Sequence, residues 1–279
     1  MALISLVNTS SGSVPDNGDT LLRGELGSAL THQFCCDGNE IADTLSSIEL
    51  RDRDTLIVWG GDGTVAAALN LARTSGAIVL PLPGGTMNLL HKRIHGQVAD
   101  WKTTLSRALC SRQPKALTYA TANGLPFYVA LMLGKLTQLV EAREALREGD
   151  PLGAARQAAR GEVLDLESII TTHVGTERFR ATAAAAFLPE VLDGDCLEIS
   201  TINPNSLMDL ASVGLSSLIS DWREVDGVSF HQARSVSFHQ QVDPGKNALL
   251  DGEPAEFEDP IKVELRRGDV FVHAMDGGT

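Results

Sequence analysis

Asp62 is the residue of this chain whose setting most asks for chemistry. It stands in "LIVWGGDGTVAAALNLA", Leu56 to Ala72, between an apolar run and an alanine-rich one, with Gly60, Gly61 and Gly63 around it. The pattern predicts a buried strand over Thr55–Trp59, a tight turn, and a helix from about Thr64. Glycine permits positive φ and leaves no Cβ in the way of a ligand that touches backbone. The helix aims free N–H groups and a positive dipole end back at the turn, which suits phosphate. A carboxylate beside phosphate needs a bridging cation or a proton to take, so the combination suggests Mg-nucleotide chemistry. The alternative is a strand–helix turn whose Asp only caps the helix.

Three further stretches carry polar groups at turns. "NTSSG", Asn8 to Gly12, offers Asn8, Ser10, Ser11 and the Gly12 backbone to a base, ribose or phosphate; alone it is an ordinary loop. "PLPGGTMNLL" turns at Gly84-Gly85 and sets Thr86 and Asn88 at the start of a helix, where cap and ligand are equally good readings of Thr86. "LLDGEPAE" places Asp251-Gly252-Glu253 between two strands; by itself Asp-Gly is a turn. The basic cluster "HKRIH", His91 to His95, could neutralise phosphate or meet anionic headgroups, but a solvated helix face is the favoured reading. The remaining histidines share no spacing and read as structural.

The elements that must position these residues change character along the chain. Up to about residue 114, strands ("ALISLVN", "TLIVWG", "AIVLPL") interleave with helices expected over 18–31, 38–50, 64–75, 86–95 and 98–112. That alternation implies a doubly wound parallel sheet, with ligands at the loops beyond the C-terminal strand ends. From 115 onward strands dominate, with a hairpin at Asn123-Gly124 and helices expected over 136–160 and 206–219. The expected organisation is therefore an α/β domain over 1–114 and a mainly antiparallel β-sandwich over 115–279.

Composition bounds the function. The chain has 279 residues, 43% of them hydrophobic and 21% charged, which is the make-up of a folded protein with a sizeable core. A net charge of −13 argues against a nucleic-acid partner, which needs basic surface. No apolar run reaches the roughly 18–20 residues of a membrane span, and the start "MALISLVNTSSG" has no basic segment of a secretory signal. Cys35, Cys36, Cys110 and Cys196 show no metal spacing; Cys35 and Cys36 read as core thiols, and the expected location is the cytoplasm.

Taken together, Gly60-Gly61-Asp62-Gly63-Thr64, Pro83-Gly84-Gly85-Thr86-Met87-Asn88 some twenty residues later, and the distant Asp251-Gly252-Glu253 resemble the diacylglycerol kinase catalytic-domain family. This family includes sphingosine, ceramide and small bacterial lipid kinases. Its first-strand motif appears as Asn8-Thr9-Ser10-Ser11-Gly12, with Thr9 in place of proline. The order of motifs fits along nearly the whole chain, whereas GGDGT alone is shared with NAD kinases and phosphofructokinases. The resemblance implies ATP on Asn8 to Gly12, on Gly60 to Ala66 and on Gly85, Thr86 and Asn88, with phosphoryl transfer in the cleft between two domains. It implies that Asp62 acts through Mg²⁺ or as a base, that Glu253 accepts the proton, and that Asp251 stands beside it. It further implies a lipid alcohol such as diacylglycerol reached by transient contact with a membrane surface, and it is compatible with a homodimer. A structural cation held by Asp195 with Leu192 and Leu197 is also a family feature. The chain departs from the pattern at Leu89, where relatives carry Asp, at Gly134-Lys135-Leu136-Thr137, which lacks an acidic residue, and in "QFCCDGNE", which lacks a threonine. Two other functions fit the same turn: a kinase of a soluble alcohol such as NAD, and a non-catalytic relative that binds nucleotide or lipid.

Overall fold

The computed structural model describes residues 1–111, 113–134, 169–203, 227–240 and 248–275. The helices expected over 136–160 and 206–219 lie outside these residues. The chain forms two compact units, one of residues 1–119, 190–194 and 266–279, the other of 120–189 and 195–265.

The first unit alternates β1 (Leu3–Asn8), α1 (Gly18–Leu26), β2 (His32–Cys36), α2 (Ile41–Ser47), β3 (Thr55–Gly60), α3 (Asp62–Ser75), β4 (Ile78–Pro83), α4 (Leu89–His95), α5 (Trp101–Cys110) and β5 (Lys115–Ala116). Its sheet runs β2-β1-β3-β4-β18-β5, where β18 is Phe271–Val272 near the chain's end. β1 to β4 and β18 are parallel, and β5 is antiparallel to β18. All six residues of β3 are buried, because a parallel sheet is covered on both faces. On one face Val7, Ile57, Trp59, Leu80 and Leu82 pack with Leu22 of α1 and Leu105 and Ala108 of α5. Val65, Ala68, Leu69 and Ala72 of α3 are buried as well.

The second unit consists of antiparallel sheets. One runs β10-β9-β14-β17-β6-β7 and the other β13-β12-β11-β8-β15-β16. The first comprises β6 (Tyr119–Ala122), β7 (Leu125–Phe127), β9 (Ile170–Val174), β10 (Glu177–Ala181), β14 (Ser235–Gln240) and β17 (Ile261–Arg266). The other comprises β8 (Ala130–Gly134), β11 (Ala183–Phe187), β12 (Leu197–Ile202), β13 (Val228–Ala233), β15 (Ala248–Leu250) and β16 (Glu253–Ala255). Phe127, Ile170, Phe238 and Val263 from one sheet share a core with Leu131, Leu133, Ala184 and Ile199 from the other, as alternating inward residues of a sandwich do.

Four sequence expectations change. The single cut at 114/115 becomes a return of the chain: Phe271 and Val272 pair with Ile78 and Val79 of β4, so the last segment completes the first sheet. α3 begins at Asp62 rather than Thr64. α4 begins at Leu89 rather than at residue 86, because Asn88 takes a left-handed φ of 51° that a helix interior does not hold. Cys35 is exposed and Cys36 buried, since neighbours on a strand point to opposite faces; all four cysteines are free thiols.

Candidate functional site

The sequence of strand pairings places a reversal between β1 and β3: β1 leads across to β2 on one side, and β3 and β4 follow on the other. In open parallel sheets such a reversal opens a crevice beyond the carboxyl ends of the two strands. The loops after β1, β3 and β4 meet at that edge. The Gly61 N–H donates to Ser11 Oγ at 3.1 Å. The Ser13 N–H donates to the Gly84 carbonyl at 3.0 Å, and Ser13 Oγ to the Gly85 carbonyl at 3.0 Å.

Two glycines are required by this meeting of loops. A Cβ on Gly84 would lie 2.8 Å from the Gly60 backbone, and one on Gly85 would lie 2.9 Å from the Gly61 Cα. Gly63 differs, because a Cβ there would meet nothing within 4 Å. It is exposed, as are Ser10, Gly12 and Thr86.

Three more residues proposed for nucleotide contact, Asn8, Thr64 and Asn88, make hydrogen bonds within the protein. Asn8 and Thr64 are buried, and Asn8 Nδ2 donates to Thr64 Oγ1 at 2.9 Å, tying the end of β1 to the first turn of α3. Asn8 Oδ1 accepts the Ser10 N–H at 3.1 Å. Asn88 closes a ring on Gly85: its Oδ1 accepts the Gly85 N–H at 2.9 Å and its Nδ2 donates to the Gly85 carbonyl at 2.7 Å. These three side chains shape the edge from behind.

Asp62 is the first residue of α3, yet its carboxylate caps a different helix. Oδ2 accepts the Leu89 N–H at 3.0 Å and Oδ1 the Leu90 N–H at 2.9 Å. Burial raises the Asp62 pKa above the ordinary carboxylate range, and the two N–H donors pull it partly back. Leu89 and Leu90 act through backbone, so no residue type signalled them; the left-handed Asn88 before them is the only local sign.

The favoured solvated reading of "HKRIH" does not hold. His91 and His95 are buried, with ring centroids 4.4 Å apart. His91 Nε2 lies 3.3 Å from Thr104 Oγ1. His95 Nε2 lies 2.9 Å from the Pro81 carbonyl and its Nδ1 accepts the Met275 N–H at 3.1 Å, which together fix a neutral ring protonated on Nε2. Burial lowers the His91 pKa to about 3, with His95 adding to the effect, and lowers that of His95 to about 4. Arg93 Nη2 donates to the Thr118 carbonyl at 2.6 Å. Lys92 is exposed.

In the second unit, Asp251 and Gly252 have φ of 52° and 91°, the left-handed pair of a two-residue hairpin turn between β15 and β16. The Asp251 carboxylate is engaged by backbone: Oδ1 accepts the Val129 and Ala130 N–H groups at 2.7 and 3.0 Å, and Oδ2 the Tyr128 N–H at 2.7 Å. That makes Asp251 the organiser of the turn. Glu253, the next strand's first residue, is exposed. Asp195 pairs with Arg234 at 3.5 Å and is exposed, while the Leu192 carbonyl accepts the Thr118 N–H at 2.9 Å. Among the described residues no group of three or more His, Cys, Asp or Glu could hold a metal ion, and none of the helices is long and apolar enough to cross a membrane.

Residues 4–122 match the family model of the diacylglycerol kinase catalytic domain. The whole chain is similar in fold to a diacylglycerol kinase from Bacillus anthracis str. Sterne, with a TM-score of 0.63, 16% identity, and coverage of 98% of this chain and 96% of that one. Two further structures from that strain, provisionally named diacylglycerol kinases, are similar at TM-score 0.65: one at 16% identity covers 98% of this chain and 96% of that one, and the other, at 18%, covers 98% and 97%. At such identity the likeness is one of fold.

Proposed function

From a chain whose residues 4–122 match the family model of the diacylglycerol kinase catalytic domain, we propose an ATP-dependent kinase that phosphorylates the hydroxyl of diacylglycerol or a related lipid alcohol. The observation that carries this reading is the meeting of three loops at the carboxyl edge of β1, β3 and β4, with Asp62 at the head of α3. Ser10, Gly12, Gly63 and Thr86 present hydroxyls, backbone and open space there, the groups a triphosphate needs.

Phosphoryl transfer asks for charge neutralisation and in-line placement more than for covalent chemistry. Mg²⁺ is held by one or two carboxylates, with phosphate oxygens and water completing its shell. Asp62 fits that demand: each oxygen accepts one N–H and keeps a lone pair. Bound there, the ion would offset phosphate charge. Glu253 is the proposed acceptor of the alcohol's proton, and Asp251 holds the turn that presents it. A lipid acceptor sets the place of work at a membrane surface.

A second reading, a non-catalytic nucleotide- or lipid-binding relative, draws on one observation: the Asp62 carboxylate already caps α4, whose first residue is Leu89 in place of the family's Asp. Equilibrium binding of Mg-ATP, followed by ADP release with a panel of lipid alcohols and NAD, separates these. Lipid-dependent ADP release supports the kinase reading, binding without turnover supports the second, and turnover on NAD alone refutes the lipid assignment.

A further inference from the structure

The unit boundaries fall at 119/120, 189/190, 194/195 and 265/266, so the chain passes from one unit to the other at four points. Thr118 gathers the segments beside these points. Its N–H donates to the Leu192 carbonyl at 2.9 Å, within the short return 190–194, and its Oγ1 accepts Arg267 Nε at 3.2 Å, just past the last boundary. Next to it the Leu117 N–H donates to the Val270 carbonyl at 2.9 Å. Thr118 is only 1% exposed, and its carbonyl takes the 2.6 Å hydrogen bond from Arg93.

Arg93 belongs to α4, the helix capped by Asp62. A helix of seven residues thus holds the Asp62 carboxylate on its first N–H groups and the Thr118 carbonyl on a side chain of its last turn. His91 and His95 fasten the same helix to Thr104, Pro81 and Met275. An element gripped at so many points shifts as one body, because packed interiors respond in discrete rearrangements rather than by local yielding. An arginine on a solvated helix face would extend into water; this one is half-buried and ends on main chain.

We propose that Arg93 is a positioning residue, coupling the state of the Asp62 carboxylate to the segments through which the chain enters its second unit. For catalysis this rests on the kinase reading. The coupling itself does not depend on that reading.

Hydrogen exchange on the full-length protein tests it with wild type, Asp62→Ala, Arg93→Ala and the double variant. Asp62→Ala is expected to speed exchange of the Leu117–Tyr119 amides about twofold or more in the wild-type background, the size of a coupling of about 0.5 kcal/mol or above between linked residues. In the Arg93→Ala background the same substitution is expected to add nothing there. Unchanged exchange at 117–119 in Asp62→Ala, or independent multiplication of the two effects, overturns the proposal. If Arg93→Ala does not fold, Arg93→Gln replaces it in the cycle with the same expected and overturning results. If the kinase reading holds, Arg93→Ala keeps Mg-ATP affinity within about twofold while turnover falls roughly tenfold or more, and Arg93→Lys restores part of it. Equal loss of affinity and turnover contradicts a positioning role. Absence of turnover in wild type counts against the kinase reading alone, and the exchange cycle then decides the coupling.

Discussion

Asp62 and Leu89 stand 27 residues apart and are joined by a hydrogen bond of 3.0 Å from the Leu89 N–H to Asp62 Oδ2. The residue that reads as a metal ligand is also the cap of the helix that follows the next strand. Asp62→Ala therefore removes two charge-assisted hydrogen bonds at once. Each is worth about 1.5–3 kcal/mol, so thermal melting should show a loss of a few kcal/mol while the protein remains folded. On the proposed kinase reading, phosphoryl transfer should vanish as well. A variant that melts like wild type would show that the cap adds nothing to stability.

Gly85 and Gly63 should part company. Gly85→Ala forces a methyl against the Gly61 Cα, and overpacking of this kind costs about 1–3 kcal/mol. Gly63→Ala meets no protein atom and sits in the first turn of α3, so melting should be unchanged or improved, by up to about 1 kcal/mol. If nucleotide lies over that turn, Gly63→Ala should nonetheless weaken Mg-ATP binding measured by calorimetry. Equal affinity for both proteins would place the nucleotide elsewhere.

Much of this organisation is legible in the residues, for a physical reason. Apolar runs with glycines behind them specify buried parallel strands and tight turns locally, so the loops after β1, β3 and β4 can be placed at one edge from sequence. Partners cannot be found this way when the contact is backbone-made or distant. Nothing in "GDVFVHA" says that Phe271 will pair with Ile78 rather than with a strand of the sandwich. Nothing in "HKRIH" distinguishes a solvated helix from one whose histidines are packed, because His91 and His95 are four apart on a face that only tertiary structure can cover. Asn8, Thr64 and Asn88 have the right chemistry for a ligand, and the protein uses it on itself.

Acid should destabilise the first unit through these two histidines. Their folded pKa values, about 3 for His91 and about 4 for His95, lie below the unfolded value of about 6.5. Between these values the unfolded chain binds more protons, so stability rises with pH. The contribution is complete above about pH 6.5 and is lost as pH falls towards 4 for His95 and 3 for His91, at up to about 1.4 kcal/mol per pH unit for each. Denaturant titrations from pH 7 to 4 on wild type and His95→Gln should show a shallower pH slope in the variant. Equal slopes would mean that His95 does not titrate in that window.

Asp251 and Glu253 should fail differently. Asp251→Ala frees three backbone N–H groups at Tyr128, Val129 and Ala130, and stranded donors cost about 1–3 kcal/mol each where they stay buried. Its effect should appear in melting. Glu253→Gln keeps shape at an exposed position and should melt like wild type.

The most direct test of the proposed activity compares wild type with Glu253→Gln for Mg-ATP binding and for phosphorylation of micellar diacylglycerol. The expected result is unchanged nucleotide affinity, lipid-dependent ADP release by wild type, and turnover lower by about 10²–10⁴-fold in the variant, the usual loss on removing a general base. Full activity in Glu253→Gln would eliminate it as the base, and wild-type protein that binds Mg-ATP yet phosphorylates no lipid alcohol would contradict the kinase assignment itself.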